Sequence, residues 1–320
     1  MSTLWYSRAV RLPTIISKFA RSVSLTREKN VILCSYLANG RVGLNWGDKL
    51  NPVLVSMISG KRVVNAHDFY NVFGMPIHVV IGSGLGHLTH SGSIVWGHGF
   101  ARYDDRPRVR PRQICAVRGP LSHQKLLDSG LLCPNVVGDP ALLLPRYFDE
   151  NVKRRHRIGL IPHFSHFGLP EFARLRERGV EIIDITGDLF DVVRSVKSCH
   201  MIASSSLHGL IIADAYGVPS KWLKVAGHPI EDGFKFHDYL KSVGRNDLRA
   251  LTIDMKSSVQ TIESSLEDYE IDLDLDRLYE SCPFRSRTVV AGNVDGARYT
   301  VGTPQPTMAR RHVEAGSVDA

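Results

Sequence analysis

The succession RIGLIPHF (157–164), LPEFARLRERG (169–179), VEIIDI (180–185), DLFDVVRSVKSC (188–199), HMIASS (200–205), SLHGLIIADAYG (206–217) and PSKWLKV (219–225) decides the fold. Short apolar runs rich in Ile and Val alternate with pieces of helical length, the pattern of βαβ units in a parallel sheet. Gly179 and Gly217 stand where helices should stop, and Asp188 is placed to cap the start of one. Right-handed crossovers then wind the sheet in both directions, and ligands are expected at the carboxyl ends of its strands.

The same alternation runs through the first half: NVILCSY (30–36), DKLNPVLVSMISG (48–60), IHVVIGSG (77–84), SIVWGHG (93–99), ICAVRG (114–119), LSHQKLLDSG (121–130) and NVVGDPALLL (135–144). Between the halves lies DENVKRRHR (149–157), a charged break. With 320 residues there is room for about two domains of ~150 residues each. The expected fold is therefore α/β, with two Rossmann-like doubly wound domains facing a cleft in the GT-B-like manner, over 30–150 and 151–282. Val259, Ile262, Leu266, Tyr269 and Leu273 follow helical spacing and predict a closing helix. From 283 to 320 the chain is rich in Gly, Arg, Ser, Thr and Pro without periodicity, which predicts disorder.

The opening segment, 1–29, carries Arg8, Arg11, Lys18, Arg21 and Arg27 among apolar residues. A frayed basic extension, a membrane-surface amphipathic segment and an organellar transit peptide compete as its reading. The net charge of +8 favours anionic partners without choosing among them. Basic residues are scattered, with no nucleic-acid module, so no nucleic acid is expected. Cys34, Cys115, Cys133, Cys199 and Cys282 are odd in number and contain no CxxC pair, which suits a reducing cytoplasm and excludes a disulfide framework or zinc cluster. No stretch reaches the roughly 20 apolar residues of a bilayer span.

Three segments hold residues suited to chemistry. In SSSLHGLIIADAYGVPS (204–220), an apolar strand runs into a helix, so that Ser204, Ser205, Ser206 and the first backbone N–H groups can hold an anion. His208, in the first turn, can exchange protons near neutral pH, or can simply satisfy a carbonyl while the serines cap the helix. In AVRGPLS (116–122), Pro120 marks a helix start and places Arg118 just before it. Its planar fork suits a carboxylate or phosphate, or a plain ion pair. In NWGDKLNP (45–52), Asn45 and Gly47 supply turn chemistry, while Asp48 can either cap the following helix or orient and deprotonate a hydroxyl.

Two glycine-bearing stretches are weaker signals. IGSGLGHL (81–88) has the spacing GxGxG rather than a dinucleotide fingerprint, and reads as a tight turn. VWGHGF (95–100) contains His98, which either lines the cleft or is structural. No metal-binding motif is visible, and no cofactor or metal is expected.

Taken in order, NWGDKLNP, VWGHGF, VRGPLS, VGDPALLLP, IGLIPHF and SSSLHGLIIADAYGVPS resemble the polysaccharide pyruvyl transferase family, especially its ketal-forming bacterial members. The resemblance covers roughly 30–225. It implies a GT-B-like fold, phosphoenolpyruvate as donor and co-substrate, and a glycan acceptor, lipid-linked or not, whose two hydroxyls become bridged by pyruvate. On this resemblance the acceptor side is the first domain, with Asn45 and His98, and the donor side is the second. Arg118 corresponds to the family's donor-site arginine and His208 to its late histidine, here the acid that protonates C3 of the donor, with Asp48 beside it. Ser205 and Ser206 join the donor set. Many members carry an arginine two residues before that histidine, where this chain has Ser206; Lys221, Lys224 or His163 are the expected substitutes. The reaction is expected in the cytoplasm, with peripheral contact at the inner membrane face left open. A nucleotide-sugar glycosyltransferase and a non-catalytic glycan-binding protein are the alternatives.

Overall fold

The computed structural model describes residues 24, 28, 30–38, 45–68, 74–286 and 299–301. The basic opening segment, but for residues 24 and 28, lies outside the described residues, as does most of the expected tail.

Two sheets of five parallel strands form the frame. The first comprises β1 (Val31–Cys34), β2 (Arg62–Asn65), β3 (Ile77–Val79), β4 (Ser93–Trp96) and β5 (Gln113–Ala116), in the order β2-β1-β3-β4-β5. The second comprises β6 (His156–Ile161), β7 (Glu181–Ile182), β8 (Cys199–Ser204), β9 (Ser220–Val225) and β10 (Leu251–Ile253), in the order β10-β9-β8-β6-β7. Both orders are doubly wound, with winding reversing between β1 and β3 and between β6 and β8, where crevices open at the carboxyl ends.

The helices start and stop as local chemistry dictates. α1 (Trp46–Ser59) follows β1 and α2 (Pro120–Asp128) follows β5, with Pro120 in the first position. α3 (Pro170–Glu177), α4 (Leu189–Lys197), α5 (Leu207–Ala215) and α6 (Phe234–Ser242) belong to the second sheet's connections. The Asp188 carboxylate accepts from the Phe190 and Asp191 N–H groups at 2.9 and 3.1 Å, capping α4. Gly179 and Gly217, at φ 83° and 64°, take the left-handed turn that ends α3 and α5. α5 is buried from Leu207 through Asp214, as an all-round apolar helix must be.

A single apolar core joins the sheets. It takes Trp46, Leu50 and Leu54 from α1, Leu189, Val192 and Val193 from α4, and Leu207, Leu210 and Ile211 from α5. Each such side chain fully removed from water contributes ~1.5–3 kcal/mol, so the sheets are held by packing rather than by a few polar links. α6 bridges them: Phe234 packs with Leu85 and Phe100 of the first unit, while Phe236 stacks on Trp222 of β9 at 4.5 Å.

Two expectations fail. The predicted closing helix over 259–273 is broken into α7 (Val259–Glu263), strand β11 (Tyr269–Ile271) and α8 (Leu275–Glu280). Ser264 ends the first helix, Tyr269 and Ile271 follow strand rather than helical alternation, and Asp274 caps a new start by accepting from Arg277 N–H at 2.9 Å. DPALLL is not a strand but a 3₁₀ turn, Pro140–Arg146, capped by Asp139.

α8 reaches back to the first sheet, where its Leu278 carbonyl and Ser281 hydroxyl each accept from Trp96 Nε1 at 3.0 Å. Within the expected tail, Phe284 is buried edge-on against His78 and Trp96, and β12 (Tyr299–Val301) pairs antiparallel with β11. Among the described residues no helix is long and apolar enough to cross a membrane.

Candidate active site

The two switch points are each laced shut by polar side chains at the strand ends. In the first sheet, Asn51 of α1 exchanges two hydrogen bonds with Ile81, at 3.0 and 2.9 Å, and donates to the Gly47 carbonyl at 3.0 Å. In the second, the Ser204 hydroxyl donates to the Ile161 carbonyl at 2.9 Å, and the Ser205 hydroxyl accepts from His163 N–H at 2.9 Å. α1 spans the gap: Trp46 Nε1 donates to the Leu189 carbonyl at 3.0 Å, and Lys49 Nζ to the Thr186 and Gly187 carbonyls at 2.6 and 2.8 Å. These bonds bring the first turn of α1 against the first turn of α5.

His208 lies at that contact. Its imidazole fills the space above Gly47, where an added Cβ would stand 2.1 Å from Cε1 and Nε2. Nδ1 is 3.3 Å from Asn45 Oδ1, so the amide oxygen accepts and the proton sits on Nδ1. Nε2 is then a lone pair, buried and without a hydrogen-bond partner. Burial, followed by the charges of Lys235, Arg118 and His163, pushes the imidazole down to about 3. In the free protein His208 is a neutral base at pH 7, where the sequence led us to expect an acid.

Arg118 is fully buried and every nitrogen of its guanidinium is engaged. Nε donates to Asp238 Oδ2 at 3.1 Å, with Nη2 3.0 Å from the same oxygen. Nη2 also donates to the Phe100 carbonyl at 2.6 Å, and Nη1 to the Ser83 hydroxyl at 2.6 Å and the Gly82 carbonyl at 3.4 Å. Asp238, on α6, at the same time accepts from Ser122 N–H at 2.8 Å and the Ser122 hydroxyl at 2.7 Å, capping α2 from across the molecule. Gly99 allows this, because a Cβ there would come within 2.5 Å of the guanidinium carbon. The fork expected to receive an incoming anion is thus closed on Asp238, and the arginine holds the Gly82–Ser83 turn in place.

The remaining expected residues divide. His98 is 1% exposed; its Nε2 accepts from Gly84 N–H at 2.7 Å, and burial with the Arg118 charge pushes it down to about 3. It props the glycine turn from below. His163 is pushed down to about 3 by burial and then Lys235, with Nδ1 2.7 Å from the Ser165 hydroxyl. Asp48 does not cap α1, whose cap position is Asn45; its carboxylate accepts from Leu37 N–H at 3.0 Å, and burial pushes it up to about 6. Ser205 is committed to His163 and to His166 Nδ1 at 3.2 Å, whereas Ser206 holds the cap position of α5 without a side-chain capping bond.

Lys221 and Lys224 do not join this group. Lys221 is ion-paired with Asp247 and lines a separate cavity with Arg245 and Tyr269, while Lys224 is exposed over the Trp222 ring at 4.7 Å. The cation whose charge reaches both His208 and His163 is Lys235, in the first turn of α6. Sequence reasoning missed it, and missed Asp238, because α6 follows the loop after β9 and carries no motif.

The family model described as polysaccharide pyruvyl transferase matches residues 67–224, which hold His98, Arg118, His163, Ser205, Ser206 and His208 in order. This segment belongs to the polysaccharide pyruvyl transferase family. The chain is 27% identical over 205 residues, 62% of each chain, to succinoglycan biosynthesis protein ExoV of Rhizobium meliloti (strain 1021). It is also 33% identical over 114 residues, 34% of this chain and 40% of the other, to uncharacterized protein L143 of Acanthamoeba polyphaga mimivirus. The chain therefore spans less than two thirds of the length of these relatives. Asn45, Gly47 and Asp238 fall outside this pyruvyl transferase segment, yet they complete the surroundings of His208 and Arg118, and Lys235, also outside it, adds its charge.

Proposed function

We propose that the chain transfers pyruvate as a ketal from phosphoenolpyruvate to two hydroxyls of a sugar in an exopolysaccharide or other cell-surface glycan, releasing phosphate. The single observation that carries this reading is His208 Nε2, buried and unpaired where the two switch points meet. The paired parallel sheets support a GT-B-like arrangement, with the glycan entering beside α1 and the donor beside α5.

Addition of a sugar hydroxyl to C2 of phosphoenolpyruvate requires a proton at C3, because C2 becomes electrophilic only as cationic character develops. His208 is neutral until the donor arrives. The donor's negative charges oppose the desolvation and the positive neighbours that keep the imidazole neutral, so His208 takes up a proton at Nε2 and delivers it to C3. Asn45 holds the ring by Nδ1, and Asp48, whose raised carboxyl titrates near 6, receives the proton of the attacking hydroxyl. The phosphate then leaves with its bridging oxygen and the electrons of the C2–O bond. The second hydroxyl closes the ring, and its proton leaves with phosphate. Arg118 acts by fixing Ser83 and the Gly82 carbonyl rather than by direct contact.

No metal or cofactor enters this scheme. All five cysteines are free, which supports a cytoplasmic setting, and an acceptor held at the inner membrane face fits the same reading. The test is phosphate release from phosphoenolpyruvate with lipid-linked oligosaccharides as acceptors. Release of a nucleoside diphosphate from a nucleotide sugar, with none from phosphoenolpyruvate, would establish a glycosyltransferase instead. Glycan binding without turnover of either donor would establish a binding protein.

A further inference from the structure

Lys235 is placed at some cost. It occupies the first turn of α6, where the helix's own partial charge is positive, and it is nine-tenths buried. Its neighbours in sequence fix it there: Phe234 is anchored in the first unit's core and Phe236 is stacked on Trp222, so the lysine between them is held at the junction of the sheets. Burial pushes its ammonium down against the pull of Glu231.

Its partner is Glu231, with Oε2 3.0 Å from Nζ. Glu231 is more open to water, with a quarter of its side chain exposed. Among the described residues it is the sole non-glycine at positive φ, 52°, a strained backbone conformation that persists only where surrounding structure enforces it. One turn on along α6 Asp238 neutralises Arg118, and the charge of Lys235 helps to hold His163 and His208 neutral. Glu231 is the acidic side chain paired with the lysine, while His208 Nε2, packed against Gly47, is buried without a hydrogen-bond partner.

We propose that Lys235 is the cation that receives an oxyanion of the substrate, carboxylate or phosphate, opposite His208 Nε2, and that Glu231 is a displaceable counterion that holds the lysine until the anion arrives. The assignment rests on the pyruvyl transfer reading only in naming phosphoenolpyruvate as carrier of that oxyanion. It supplies, from a helix outside the family match, the positive charge absent at Ser206. Competition between Glu231 and the ligand sets the sign of the test: removing the glutamate's charge must strengthen binding.

The experiment is calorimetric titration of the full chain with inorganic phosphate and, separately, with phosphoenolpyruvate. Lys235→Gln is expected to weaken both by about 10- to 100-fold, the range for a hydrogen-bonded charge, while Lys235→Arg keeps most of the affinity. Glu231→Gln is expected to tighten both by about 3- to 10-fold, a gain that damage to the fold cannot imitate. Unchanged or weakened binding in Glu231→Gln, unchanged binding in Lys235→Gln, or no binding of either anion by the unmutated chain overturns the assignment. If the variants shift binding as expected but no acceptor supports turnover of phosphoenolpyruvate, the pyruvyl transfer reading fails and the Lys235 site stands. If turnover proceeds while both variants bind like the parent, the reverse holds.

Discussion

Gly47 and His208, 161 positions apart, share one volume: the imidazole occupies the space that a side chain on Gly47 would need, its Cε1 and Nε2 2.1 Å from the absent Cβ. Gly47 lies in the first turn of α1, where most residues would serve the helix better. Glycine is there for the histidine.

Gly47→Ala should therefore act against its local effect. Alanine in a helix is favoured over glycine by roughly 0.5–1 kcal/mol, so the substitution would stabilise a helix with nothing above it. Here it must push the ring from its bond with Asn45. We expect turnover to fall by about 10²-fold, the loss expected when a reacting group is displaced by ~1 Å, with a lower thermal midpoint. A raised midpoint with full turnover would show that the ring does not depend on this contact.

His208→Ala should fold and lose turnover by about 10²–10⁴-fold, as for removal of a general acid or base. The buried Nε2 has no partner to lose, so the stability change comes from the vacated space and the lost Nδ1 bond to Asn45. Circular dichroism with single-turnover kinetics separates the two. Loss of melting temperature with turnover per folded molecule near the parent value would end the catalytic assignment.

Arg118→Lys should be felt first in stability. An ammonium cannot satisfy Asp238, the Ser83 hydroxyl and the Phe100 and Gly82 carbonyls from one point, so buried acceptors are left unpaired at about 1–3 kcal/mol each. Urea denaturation should report a loss of about 2–5 kcal/mol in total. Asp238→Asn is expected to share most of that loss, and a double variant to cost much less than the sum. An unchanged urea midpoint in Arg118→Lys would contradict the clamp.

Acid should unfold the protein through its buried histidines. His98, His163 and His208 are each held near 3 against an ordinary 6.5, so below 6.5 the unfolded chain takes up protons that the folded one refuses. Their contribution is intact above pH 6.5 and lost as pH falls toward 3. Asp48 and Asp139, raised to about 6 from 3.8, act in the opposite sense: their contribution is intact below 3.8 and lost as pH rises through 6. The histidine shifts are the larger and more numerous, so a net loss on acidification is expected. His98→Gln should flatten the fall in urea midpoint between pH 7 and 5; an identical slope would show that His98 titrates normally.

What could be read along the chain was whatever depends on near neighbours. Asp188 bonds amides two and three residues away, Pro120 fixes its own φ, and Gly217 turns its own backbone, so caps and stops are legible from their residue types. The period of the apolar residues likewise announces parallel βαβ units, because each strand must be buried on both faces. Where periodicity was ambiguous, at 259–273, tertiary pairing of Tyr269–Ile271 overrode it. The site was half legible. His208, Arg118 and Asn45 stand at strand-to-helix junctions that any doubly wound sheet brings to its carboxyl edge. Which of their atoms stay free was decided only when the two sheets met, because that depends on groups 120 and 163 positions away: Asp238 closing the Arg118 fork and Asn45 turning the His208 ring. Lys235 entered the site for the same reason, carried there by two phenylalanines anchored in different units.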